Sequence, residues 1–172
     1  RHTGAEYKVN PPLRDIDCRD RLFRRFVAGD IDMFGSDHAP HTSEEKAQEF
    51  DAAPGGIPGV ETTMPMVMDM VRRDVIPMSQ AVRMGAENPG RLFSLRKGRI
   101  AAGYDADLLV FDMRRSSTID VKALHSRCGH SPSGGYGAVF PETVMVRGEV
   151  QVEDGEFCGE PLGRDVCGRL RS

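Results

Sequence analysis

Apolar residues recur at helical spacing between Asp17 and Ala28: Leu22 and Phe26 stand at i, i+4, with Phe23 and Val27 beside them. Asp17 is placed to cap this helix, Asp20 puts negative charge near its start, and Gly29 can end it. A short apolar run, Ile31 to Gly35, predicts a strand that leads into the polar cluster Ser36 to His41. Thr42 and Glu45 have capping-box spacing. The glycines and prolines of Asp51 to Gly59 predict a loop. Met64, Val67, Met68 and Val71 then form a second helical stripe, and its methionines suit core packing. A further helix is expected from a Ser79 cap to Ala86, broken by Asn88-Pro89-Gly90, with a short turn through Leu92 and Phe93. After about Lys97 the runs turn to β type: Leu108 to Phe111, Thr143 to Arg147 and Glu149 to Val152. The last two predict a hairpin turning at Arg147-Gly148, and Ser131 to Tyr136 reads as a loop.

Strands alternating with helices, followed by strands alone, predict an α/β fold. The expected architecture is the C-terminal part of a TIM-like (β/α)8 barrel over residues 1–96, then part of a small β-sandwich over 97–172. A whole barrel takes about 250 residues, and there is room for two βα units ahead of the β-rich tail. The net charge of −3, without long basic runs, gives no reason to expect nucleic acid or an anionic membrane as partner. No apolar stretch approaches the roughly 20 residues that span a bilayer. Cys18, Cys128, Cys158 and Cys167 form no Cys-x-x-Cys pair, so they are expected to be reduced cytosolic thiols and not a structural zinc site. The start at Arg1 in place of Met suits a cut chain.

Three segments hold candidate chemistry. Asp37-His38-Ala39-Pro40-His41 packs one carboxylate and two imidazoles at the C-terminal end of a predicted strand, the active-site face of a βα barrel. A carboxylate there can hold a metal and carry a proton. A loop aspartate capping the Thr42 helix, beside exposed histidines, is the structural alternative. In Asn10-Pro11-Pro12-Leu13-Arg14, which follows an extended run from Tyr7 to Val9, two prolines stiffen the backbone. Asn10 there offers donors and acceptors and Arg14 a carboxylate-matching fork, although a plain proline turn would read the same way. Pro54-Gly55-Gly56-Ile57-Pro58-Gly59-Val60-Glu61 lets backbone approach a ligand closely, or simply connects two helices. It has no Walker lysine and neither nucleotide-loop spacing, and the chain has no G-x-S-x-G elbow. His2, His125 and His130 show no metal-ligand spacing and are expected in loops or at the surface.

In this order the segments Lys8 to Arg14, Gly35 to His41 and Pro54 to Thr62 resemble dihydroorotases of the amidohydrolase superfamily. Asn88 to Phe93, Lys97 to Leu108, and Ser131-Pro132 through Gly148 continue the resemblance. The resemblance implies a zinc enzyme that reversibly cyclises carbamoyl aspartate to dihydroorotate in cytosolic pyrimidine synthesis. It implies that Asp37 is a metal ligand and the proton carrier to the leaving amide nitrogen. Asn10 and His41 would hold the substrate carboxylate, and the Pro54-Gly55-Gly56 backbone would touch the ring. Arg14 receives no role. The chain has no His-x-His, so that pair, the arginine after it, the bridging lysine and two further metal histidines are expected upstream. The 172-residue piece alone is then expected to be inactive. The implied partners are the small-molecule substrate, the upstream half of the same enzyme, and further copies of it or aspartate transcarbamoylase. A hydantoinase- or allantoinase-like hydrolase and a non-catalytic scaffold for aspartate transcarbamoylase are the competing readings. The second histidine of Asp-His-Ala-Pro-His favours dihydroorotase over the first of these.

Overall fold

A computed structural model describes residues 4–166, so His2 and Cys167 lie outside the described residues. Helix α1 spans Ile16–Ala28. Its cap is Asp15 and not Asp17: the Asp15 carboxylate accepts from Cys18 N at 2.7 Å. Either aspartate has the right chemistry, but Ile16 already turns helically, which places Asp17 in the first turn. The helix ends at Gly29 in the left-handed conformation, as the pattern predicts. Its apolar stripe is less well served. Phe26 packs on the core, whereas Leu22 is 60% and Phe23 45% exposed, because no described element covers that side.

Helix α2 is the single turn Ser43–Lys46, α3 spans Thr63–Arg72 and α4 spans Met78–Val82. The core gathers Val67, Ile76 and Ala81, with Phe26, Phe34, Met64 and Met70 against them, so the methionine stripe does pack inward. Gln80 Nε2 ties this layer to the end of α1 through Phe26 O at 2.6 Å.

Four local expectations need correction. Ile31 to Gly35 forms no strand, since no described segment lies alongside to complete a ladder. Its polar groups go to the helices instead: Phe34 N donates to Met84 O at 3.3 Å, and Asn88 Nδ2 donates to Asp32 O at 2.6 Å. The one parallel contact among the described residues is a bridge between His38 and Ile57. Tyr7 closes a 3₁₀ turn, Ala5–Tyr7, in place of starting an extended run. Pro77, without a side-chain bond, precedes α4 where Ser79 was expected to cap. Finally, Asn88-Pro89-Gly90 does not break the helix. A π turn, Arg83–Glu87, carries it into α5, Asn88–Leu92. Pro89 has no N–H to donate within this run, and Met84 O, the carbonyl five residues back that a π-spaced bond would use, accepts from Phe34 N instead.

Strands β1 (Leu108–Val110), β4 (Thr143–Val146), β5 (Glu149–Glu153) and β6 (Glu156–Phe157) make one antiparallel sheet in the order β1-β4-β5-β6. The β4–β5 hairpin turns at Arg147-Gly148, both at positive φ, as a right-twisted two-residue connection requires. The β5–β6 hairpin repeats the device at Asp154-Gly155, a signal that the sequence reading passed over. A second pair, β2 (Ser117–Thr118) and β3 (Gly137–Ala138), lies against α3, where Val139 N donates to Pro65 O at 3.0 Å. Ser131 to Tyr136 is a loop of turns, as expected.

Candidate functional site

Where the segment from Ile31 ends, Asp37 takes φ +46, a conformation that Asp and Asn tolerate better than most residues. Its carboxylate is exposed and makes no hydrogen bond or ion pair among the described residues. The alternative of a helix cap is thereby removed. Thr42 caps α2 itself: its hydroxyl accepts from Glu45 N, while Glu45 Oε2 accepts from Thr42 N at 2.8 Å, the predicted capping box. The same Glu45 carboxylate lies 3.4 Å from His41 Nδ1, which steadies one edge of the imidazole and leaves Nε2 for a ligand. The Thr42 N–H, helped by His41, holds the Glu45 carboxyl below the usual carboxylate range.

The Pro54-to-Glu61 loop folds back onto this segment. Ala39 N donates to Ile57 O at 3.0 Å, and Gly59 N and Val60 N both approach His38 Nδ1, at 3.1 and 3.3 Å. His38 Nδ1 is therefore an acceptor, and its ring proton sits on Nε2. A Cβ on Gly56 would meet the His41 ring carbon Cδ2 at 3.2 Å, so Gly56 and His41 lie side by side. A Cβ on Gly55 would lie 3.9 Å from Asn10 N, and Gly56 N donates to Lys8 O at 2.9 Å. Asn10, His41, Gly55 and Gly56 are thus brought to one locality, with Pro54 beside them. Asn10 itself is exposed, and Arg14 is exposed with no hydrogen bond or ion pair among the described residues.

Sequence reasoning gave no role to two residues that organise this locality. One is His38. The other is Lys46, 5% exposed, whose ammonium donates to Ala5 O, Lys8 O and Pro54 O at 3.3, 3.0 and 2.9 Å. Burial first, and then the nearby Lys8 charge, lower its pKa. The available signal was the capping box: it fixes α2 as one turn, Ser-Glu-Glu-Lys, in which lysine has the longest reach inward.

Glu61, at the end of the loop, accepts from His125 N at 3.0 Å and lies 2.7 Å from His125 Nδ1. That contact raises the His125 pKa above its ordinary 6.5. The pair thus supports the folded state fully below the unfolded pKa, and this support fades as pH rises through the raised folded value. With the His125 side chain 75% exposed, it is worth at most about 1 kcal/mol. An NMR titration should place the His125 midpoint above 6.5 and return it there in Glu61→Gln; equal midpoints in the two proteins would refute the contact. His130 is half-buried in its loop, with Nε2 enclosed and unpaired among the described residues. Cys18, Cys128 and Cys158 are free thiols.

The exposed, unpartnered Asp37 carboxylate fits a single metal ligand. No group of three or more His, Cys, Asp or Glu side chains converges on a metal position among the described residues. A catalytic zinc takes about three protein ligands, a set that the described residues do not assemble.

The amidohydrolase family matches residues 22–150. A dihydroorotase of Thermoplasma volcanium is 41% identical over 163 residues, covering 95% of this chain and 39% of that protein. One of Methanosarcina acetivorans is 44% identical over 146 residues, covering 83% of this chain and 31% of its own. Among solved structures, a D-hydantoinase (dihydropyrimidinase) from Thermus sp. superposes with a TM-score of 0.84 at 35% identity, covering 91% of this chain and 36% of that one. An L-hydantoinase from Arthrobacter aurescens gives 0.81 at 30% identity, covering 92% and 40%. The chain spans about two fifths, or less, of the length of the curated relatives it matches.

Proposed function

This chain belongs to the amidohydrolase family, and we propose that it supplies the substrate-carboxylate side and one metal-ligating carboxylate of a dihydroorotase. The activity is proposed for the protein that carries this segment together with the parts its longer relatives have. The observation that carries the reading is the convergence of Asn10, His41, Gly55 and Gly56 on one locality, whose His41 stands four residues along the chain from the Asp37 carboxylate. A ring bearing a carboxylate needs a fixed cation or N–H donor at one end and backbone amides along its edge. His41 is suited to the first, and the Gly55 N–H with the Gly55 and Gly56 carbonyls to the second, since Gly56 N and Pro54 O are engaged by Lys8 O and Lys46.

In the hydrolytic direction a water oxygen attacks the ring amide carbon and the C–N bond breaks. Asp37 takes the proton released by the water and delivers it to the leaving nitrogen, and cyclisation is the reverse. Asp37 would also ligate zinc, which when bound lowers the pKa of water toward about 7 and polarises a carbonyl. Asn10 and His41 orient the substrate. We further assign residues 1–96 to the barrel part and 97–172 to the β-sandwich part. We assign the protein to cytosolic pyrimidine synthesis, which the three free thiols among the described residues suit.

A hydantoinase-like activity is the second reading, favoured by the solved structures named above. His41 discriminates the two, because a neutral ring gives it no charge to pair with. Replacing His41 with alanine in the metal-loaded whole protein should chiefly raise KM for dihydroorotate, by about tenfold to a hundredfold, the worth of one charge-assisted hydrogen bond. Some loss in kcat is expected where binding energy aligns the ring. Steady-state kinetics decide: unchanged KM and kcat would remove the carboxylate-binding role.

A further inference from the structure

We propose that Lys46 is a positioning residue, whose buried ammonium locks the Asn10 segment and the Pro54-to-Gly56 loop in the relative placement that receives the substrate. The assignment of those two segments to the substrate rests on the function proposed above. The lock itself is a matter of geometry.

An ammonium has three donors and no acceptor. Lys46 directs all three at backbone carbonyls: two of the N-terminal segment, Ala5 and Lys8, and one of the loop, Pro54. The residues that follow these anchors are the ones of interest. Asn10 lies two residues beyond Lys8, and Gly55 and Gly56 follow Pro54 directly. Ala5 O and Lys8 O each take a second donor from backbone, Lys8 N and Gly56 N, whereas Lys46 is the only donor recorded to Pro54 O among the described residues. Lys8 adds a more exposed outer tie, its own ammonium reaching Phe50 O and Asp51 O at 2.7 and 3.1 Å.

The chemistry argues against space-filling. Burying a charged ammonium is costly, and an apolar side chain of equal length would fill the same volume without that penalty. No carboxylate pairs with Lys46 among the described residues, so the charge is met by backbone dipoles alone. A cation used this way holds mutually repelling carbonyl oxygens together. Without it the two segments keep their own folds but lose their common reference point.

The test is Lys46→Met in the whole protein, read by site-resolved amide hydrogen exchange and by steady-state kinetics with dihydroorotate. Exchange should quicken roughly tenfold or more at Gly56 and at Lys8, whose amides donate to the carbonyls that Lys46 holds, the loss of one charge-assisted hydrogen bond, while α3 and the β4–β5 hairpin keep wild-type protection. KM should rise about tenfold with kcat changing much less, because Lys46 touches no reacting atom. Should the methionine variant fail to fold, Lys46→Gln, neutral and shorter but still polar, is read the same way. Unchanged exchange at those amides, or acceleration spread evenly over the whole fold, would overturn the proposal. If the wild-type protein does not turn over dihydroorotate, the functional reading falls, and the exchange pattern alone decides on Lys46.

Discussion

Replacing Asp37 with asparagine is expected to stop turnover in the metal-loaded whole protein while leaving its fold intact. The residue is suited to so clean a test. Its backbone sits at φ +46, which asparagine adopts as readily as aspartate, and its carboxylate makes no hydrogen bond among the described residues that the change would break. Stability should therefore move by no more than about 0.5 kcal/mol. The amide can still offer an oxygen to a cation, weakly, but it cannot accept and return a proton near neutral pH. Loss of general acid–base action alone costs about 10²- to 10⁴-fold in rate. The measurement is kcat with dihydroorotate, beside the Tm and the bound-metal content of the same preparation. Near-normal turnover with metal bound would show that the proton travels through another group.

Gly56→Ala is expected to have the second-largest effect, this time through the fold. Gly56 holds φ +145, which L residues rarely adopt, and a Cβ there would lie 2.4 Å from Ala39 O and 2.8 Å from Ala39 Cβ. Backbone strain of this kind costs about 1–3 kcal/mol. The overlap with Ala39 must also be relieved, and the way to relieve it is to move the loop off the Asp37-to-His41 segment. That motion would strip away the Ala39 N to Ile57 O and Gly56 N to Lys8 O bonds and separate Gly56 from His41. Denaturant unfolding should show a loss of about 2–4 kcal/mol, and KM for dihydroorotate should rise with it. An unchanged unfolding midpoint would mean that the loop does not need this close approach.

Elements fixed by local chemistry were legible in the chain. The capping box at Thr42 and Glu45, the Gly29 helix end, the methionine stripe and the Arg147-Gly148 hairpin depend on neighbours within a few residues, and each forms as its pattern predicts. Elements that depend on distant partners were not. Ile31 to Gly35 has strand composition but no adjoining strand among the described residues, and Leu22 and Phe23 have helical spacing but no surface to meet. Asn88-Pro89-Gly90 reads as a stop because a π turn, which shifts the bonding by one residue and leaves Pro89 harmless, has no sequence signature.

The site followed the same division. Asn10, Asp37, His41 and the Gly55-Gly56 pair stand out by residue type, and their grouping came from resemblance, since no periodicity links positions so far apart. The geometry adds what holds them. The His38 imidazole grips the loop by its amides, and the Lys46 ammonium gathers carbonyls from two segments. Histidine and lysine in these roles look, in sequence, like a spare ligand and a surface charge.

The central claim is that His41 reads a carboxylate that dihydroorotate has and a neutral ring lacks. Its most direct test is kcat/KM for dihydroorotate and for hydantoin, each measured with the wild-type whole protein and with His41→Ala. Dihydroorotate should be the better substrate of the wild type, and the substitution should cost about 1.5–3 kcal/mol on dihydroorotate and almost nothing on hydantoin. Equal losses on both rings, or a wild-type preference for hydantoin, would contradict the account.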